Sequence, residues 1–195
     1  DILKGIGILM VIGGHSLITN SYLATMIWSV HMPLFFICAG ITFKFYPRKI
    51  AFEKNVKMLM IPYVVGCLVV LLFDLILSRM ILHNGSYDLH TVWIVIEDYM
   101  GRMIYGSGMH GFTSDNLHIN LKSIGALWFF CALFVSRIVY NEIAYFPKKW
   151  KTVLVLMLFV FGYQSTNFLT EAKGIWLPFS IQTGITALIF LYMGE

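Results

Sequence analysis

Two histidines, His15 and His31, stand in otherwise apolar runs near the start of the chain, and Lys4 precedes the first of them by eleven positions. Imidazole takes or gives a proton near neutral pH, as a general base on a hydroxyl or as a relay. It also accepts an acyl group as a short-lived acyl-imidazole. At about 100° per residue, eleven positions make three turns plus roughly 20°, so Lys4 and His15 share one helix face. Asp1 lies one turn before Lys4, within pairing range. Arg48, in a basic segment, and Trp128, inside the run ALWFFCALF, add a guanidinium and a flat apolar surface. Cys38, Cys67 and Cys131 all lie in apolar runs and share no metal-like spacing, so they read as buried thiols and no metal is expected.

Only helices in a bilayer can position such residues in such a chain. Hydrophobic residues make up 58% and charged residues 12%, where a soluble domain is about a quarter charged. Six apolar runs each approach the roughly 20 residues that a membrane-crossing helix needs. They fall at about residues 2–22, 24–45, 59–82, 119–141, 152–169 and 175–193. Ionisable groups inside such spans are costly and mark reaction sites or pathways. A polar break at residues 18–24 separates the first two runs. Counted from about residue 23, both histidines are expected some eight residues down, on the order of 12 Å below the same surface.

The charges assign sides. The connector at residues 44–57 holds Lys44, Arg48, Lys49, Lys54 and Lys57 against Glu53, and that at 145–151 holds Lys148, Lys149 and Lys151. Positive loops stay cytoplasmic. The connector at 83–118 is poor in Lys and Arg and carries Asp88, Glu97, Asp98 and Asp115, which suits the outer side. Asp1 and Glu195 then lie inside, Lys4 near the cytoplasm, and both histidines in the outer half. The net charge of +4 clusters between apolar runs and is no nucleic-acid signal. Within the outer connector, HTVWIVIEDYMGRMIYG has near-helical apolar spacing and is expected to lie along the membrane or cover a site. Pro62 is expected in the first turn of the third span, and Arg137, on the inward half of the fourth, is expected to reach the cytoplasmic surface. No internal repeat or linker is found, so the reading is all-α, one polytopic transmembrane helix bundle over residues 1–195. The chain opens without Met and stops just after an apolar run, which reads as a fragment.

These residues resemble the integral-membrane acyltransferase-3 family, which includes bacterial sugar and polysaccharide O-acetyltransferases such as the fucose 4-O-acetylase-like branch. The resemblance rests on Asp1, Lys4, Gly5 and Ile6 followed by His15, and on HMPLFF from His31 with Gly40 after it. Pro62 and Tyr63 after a basic loop, Leu127, Trp128 and Phe129, and the run LPFSIQTGITALIFLYMG are also similar to the family. Ala39 stands where the family usually has serine, and Phe130 departs from the usual LWFL run. The resemblance implies a fold of about ten spans, of which about six are present as an N-terminal part. It implies acyl transfer from cytoplasmic acetyl-CoA, as co-substrate, to a hydroxyl of an extracytoplasmic sugar or cell-surface glycan at the plasma membrane. His15 and His31 are the candidate catalytic residues, with His15 in the central role. Asp1, Lys4, Arg48 and Trp128 are the candidate substrate-binding residues. A proton-coupled transporter would use the same histidines as a relay, but no repeated half and no paired broken helices are seen. Opposed histidines at one depth also suit a bis-histidine haem protein. A membrane sensor or anchor domain of a larger enzyme is the remaining reading.

Overall fold

Long apolar runs with few breaks should form helices, and the computed structural model of the chain is built from them. It describes residues 2–16, 22–81, 89–106, 108, 112–114, 119–121, 123–168 and 177–195. Helices α1 (Ile2–Ser16) and α2 (Tyr22–Ile41) are followed by α3 (Arg48–Asn55), a π turn (Val56–Met60) and α4 (Ile61–Ile81), the last three without interruption. Helix α5 (Leu89–Tyr105) precedes a small antiparallel hairpin of β1 (Phe112–Ser114) and β2 (Ile119–Leu121), with Thr113 opposite Asn120. A 3₁₀ turn (Gly125–Leu127) opens α6 (Trp128–Ile143), and α7 (Lys148–Thr166) follows. A second 3₁₀ turn (Pro178–Ser180) leads into α8 (Ile181–Thr186) and α9 (Leu188–Gly194). Apart from the hairpin the fold is all-α.

Two helices start earlier than hydropathy alone marks, and the fourth run, expected from residue 119, opens with strand β2 and turns helical only at Gly125. The third helix begins at Arg48, well before its apolar run, because Pro47 sets an extended entry (φ −52°, ψ 144°) and α3 buries Ala51 and Asn55 while exposing its charges. Pro147 starts α7 in the same way (φ −56°, ψ 149°). Pro62 therefore lies inside a continuous helix rather than in a first turn. It lacks an N–H and its ring crowds the preceding turn, and the π turn just before it absorbs the misfit. The stretch HTVWIVIEDYMGRMIYG, with its near-helical apolar spacing, does form a helix, α5.

Among the described residues two helices are long and apolar enough to cross a membrane, Arg48–Leu77 and Gly125–Ile143, with shorter apolar helices at Gly5–Gly14 and Thr25–Ile41. Val65, Leu68, Val69, Leu72, Phe73 and Ile76 of α4 are all exposed. Such a stripe on one helix is suited to contact with lipid or with another helix.

Small residues let the helices meet. A Cβ on Gly40 of α2 would overlap the Leu191 carbonyl of α9 and lie 3.0 Å from Gly194 Cα; one on Gly194 would overlap the Ile37 carbonyl. On the next face, Ser136 donates to the carbonyls of Ala132 (2.8 Å) and Gly184 (2.6 Å), tying α6 to α8. Tyr63, 1% exposed, donates to the Met103 carbonyl at 2.7 Å and ties α4 to the end of α5. Tyr63→Phe leaves that carbonyl unpaired in a closed site, so it is expected to cost about 1–3 kcal/mol, read as a lowered thermal midpoint in detergent.

The basic segments converge at one end of the bundle. Arg48 pairs with Glu142 at 2.8 Å, Tyr46 bonds Asn141, and Lys151 pairs with Glu195, which also accepts from Tyr140. Burial alone raises the Glu195 pKa, but the hydrogen bonds from Lys151 and Tyr140 and the charges of Lys151 and Lys148 outweigh it, so the net shift is downward. The folded state then favours the carboxylate. Its contribution is present above the unfolded value of about 4.3 and is lost as pH falls through the lowered folded value. Glu195→Gln is therefore expected to lower the thermal midpoint at pH 7, with the difference shrinking as pH falls below the unfolded value and vanishing once it passes the lowered folded value.

Candidate active site

His31 is the described residue that best meets the requirements of a proton acceptor. It is the tenth residue of α2 and is buried, at 6% exposure. Its Nδ1 lies 2.7 Å from the carbonyl oxygen of Ile27, one turn earlier. A carbonyl can only accept, so Nδ1 carries the hydrogen and donates it. In the neutral ring the other nitrogen, Nε2, then holds the lone pair. The local sequence explains the orientation. Long side chains on a helix lean toward its N-terminus, which brings a ring at position i over the carbonyl at i−4. Pro33, two residues on, withholds the helical bond that the Ser29 carbonyl would otherwise accept.

Helix α1 packs along α2 in the opposite direction. A Cβ on Gly7 would meet the Phe35 ring at 2.9 Å, and one on Gly13 would meet Ile27 Cδ1 at 3.8 Å. Reading between these contacts puts His31 level with residues 9–11 of α1. The backbone of His15, next to the last residue of that helix, then lies about one turn or slightly more nearer the C-terminal end of α1, on the order of 6–9 Å. This corrects the equal depth counted from the sequence. Helix α1 is described as far as Ser16, whose hydroxyl donates to the Ile12 carbonyl at 2.8 Å, and α2 from Tyr22, so the two helices are not placed symmetrically about residue 23. Lys4 and His15 do share α1, as their spacing requires; their side chains lie outside the described residues, as does Asp1.

Trp128 is half-buried at the start of α6. With Met32, Pro33, Phe36, Thr183 and Phe190 it lines a small cavity of about 120 Å³ beside the helix that carries His31. Phe129 packs between Phe35 (5.6 Å between centroids) and Phe36 (5.2 Å), closing α6 onto α2. Where α5 meets the turn into α8, Gly106 (φ 59°), Phe179 (φ 55°) and Ser180 (φ 50°) all adopt left-handed backbone, and the buried Ser180 hydroxyl donates to the Gly106 carbonyl. Two consecutive non-glycine residues in that region hold strain of about 1–2 kcal/mol each. Among the described residues no group of three or more His, Cys, Asp or Glu gathers to hold a metal.

A positioned imidazole among apolar helices fits several chemistries, and comparison with known families separates them. A family model described as an acyltransferase domain, that of the acyltransferase-3 family, matches residues 1–194. The chain belongs to that family. No curated protein and no solved structure matches it.

For an acyltransferase-3 member the observed sites fall into two groups. His31, the α1 backbone that carries His15, and Trp128 surround the upper part of α2. Arg48 belongs to the opposite, basic end. Its side chain is 77% exposed, and it is held by Glu142 and by the Tyr145 ring at 5.7 Å rather than turned into the bundle. The basic end holds a group that the sequence reading did not assemble. Lys44 and Lys54 from the α2–α3 side meet Arg137 of α6 around a cavity of about 310 Å³. The available signal was an arginine set four positions before Asn141 in an apolar helix, so that both occupy one face.

Proposed function

We propose that this acyltransferase moves an acetyl group from cytoplasmic acetyl-CoA to a hydroxyl of an extracytoplasmic sugar or cell-surface glycan, with His31 as the general base. The observation that carries the base assignment is the Nδ1–H bond to the Ile27 carbonyl, which leaves Nε2 free to accept a proton. The acceptor hydroxyl gives its proton to Nε2 as its oxygen attacks the thioester carbonyl. Collapse of the tetrahedral intermediate breaks the C–S bond, and the imidazolium returns the proton to the departing sulfur. The products are an ester and a thiol. Burial among apolar helices excludes water that would compete for the acyl group. His15, nearer the outer end of the helix pair, is assigned to the acceptor side, with Trp128 as a packing surface for the bound substrate. Lys4 and Asp1 belong to the donor's entrance, and Arg48 to the cationic surface around it.

The basic end, which gathers Arg48, Lys54, Lys148 and Lys151, supports assigning that end to the cytoplasm of a multi-pass plasma-membrane protein. The test is mass spectrometry of cell-surface glycans from cells with and without the intact protein. The reading expects O-acetyl groups that require the protein. Identical acetylation in its absence would contradict it.

A further inference from the structure

The arrangement of cations at the basic end has a use of its own. Lys44, Lys54 and Arg137 line the cavity of about 310 Å³ together with Tyr46, Asn55 and Asn141, and no acidic side chain among the described residues lines it. A pair of hydrogen bonds fixes its rim. The Tyr46 amide donates to Asn141 Oδ1 at 3.1 Å, and Asn141 Nδ2 donates to the Tyr46 carbonyl at 2.9 Å, pinning the α2–α3 connector to α6. Lys54 Nζ sits 3.8 Å from the Tyr46 ring centroid, over its face. Arg137 Nε is buried with no hydrogen-bond partner among the described residues. A buried guanidinium donor is costly unless an acceptor meets it. Glu142, five positions along α6, is engaged by Arg48 at 2.8 Å. The neighbouring Lys54, and with it the charges of Lys44 and Arg137, lowers the Tyr46 pKa.

We propose that this cavity binds the phosphate groups of a ligand that enters at the basic end of the bundle. Arginine presents a planar fork that matches phosphate oxygens, and lysines supply point charges around it. The volume falls in the range of small-molecule sites, about 300–1,000 Å³. The position fits an organic phosphate with a long tail. Thr42, on the cavity wall, lies eleven residues along α2 from His31, so the two are separated by about 16 Å along the helix. A thioester donor with its phosphates in the cavity and its pantetheine arm along α2 would present its acyl group near His31, and this part rests on the proposed function. An anionic lipid headgroup offers the same phosphate chemistry without the arm.

The experiment uses the full chain in nanodiscs of zwitterionic lipid and titrates inorganic pyrophosphate and adenosine 3′,5′-diphosphate by calorimetry. Binding is expected, and Arg137→Gln is expected to weaken it about tenfold or more, the loss of one charge-assisted pair. Arg137→Lys should retain most of it. Lys44→Met and Lys54→Met, at more exposed positions, should each weaken binding and cover the case in which Arg137→Gln does not fold. Competition by phosphatidylglycerol placed in the disc, with no binding of the adenosine probe, identifies the occupant as a lipid headgroup. No binding of either probe and no preference for anionic lipid, or equal binding by wild type and all variants, overturns the site. Acyl transfer measured on the same samples separates the two ideas. Arginine-dependent phosphate binding without CoA-dependent transfer leaves the site standing and removes the acetyl-CoA reading. Transfer whose donor KM is unchanged in the variants does the reverse.

Discussion

His31→Ala is expected to lower acyl transfer about 10²–10⁴-fold, the range over which a positioned general base acts, while the protein still folds and inserts. The ring removed is the one whose Nδ1–H the Ile27 carbonyl already holds at 2.7 Å, so its orientation is set before substrate arrives. Removing it leaves the hydroxyl nucleophile with no group to take its proton. His31→Gln is a sharper variant. Its amide can still donate to the Ile27 carbonyl, preserving that local bond and much of the volume, yet it has no basic nitrogen. If positioning of α2 were the whole role of His31, Gln would restore activity; as the base, it would not. Activity is measured with membrane protein levels and thermal midpoints matched, so that loss of the fold is not read as loss of chemistry.

The largest structural effect is expected from Gly40→Val. A Cβ at Gly40 meets backbone on two sides, the Leu191 carbonyl and Gly194 Cα at 3.0 Å, and neither can swing away like a side chain. Added bulk in a well-packed core costs about 1–3 kcal/mol when side chains can give. Here α2 and α9 must move apart, so a cost at or above the top of that range is expected. The movement also disturbs the neighbouring contact of Phe43 with Tyr140, whose rings lie 4.9 Å apart near edge-on. The check is the yield of monodisperse protein in detergent and its thermal midpoint, with Gly5→Val as control, because a Cβ there meets nothing within 4 Å.

The sequence made the helices legible and the register between them much less so. Apolar runs such as that ending at Ile81 declare themselves by composition. Their starts depend on signals that hydropathy overlooks: Pro47 and Pro147 begin helices inside charged segments, where exposed lysines conceal the buried Ala51 and Val155. The relative depth of the His15 backbone and His31 depends on how α1 and α2 are aligned, and the close approaches at Gly7 and Gly13 set that alignment rather than the centre of the polar break. Lys4 and His15 followed from spacing within one helix, which a sequence specifies well. The cationic cavity did not, because Lys44, Lys54 and Arg137 come from three segments that long-range contacts bring together, among them the bonds between Tyr46 and Asn141, 95 positions apart. Family membership was legible from the paired histidine segments, since those residue types stand at set intervals in the chain itself.

The most direct measurement of the central claim is acetyl transfer by the purified protein in sealed vesicles, with acetyl-CoA labelled in its acetyl group supplied to the basic face and a glycan acceptor to the other. The expected result is a base-labile ester label on the glycan, formed by the wild type and lost with His31→Gln. Label absent from every hydroxyl acceptor, or transferred at the same rate by His31→Gln, would contradict the account.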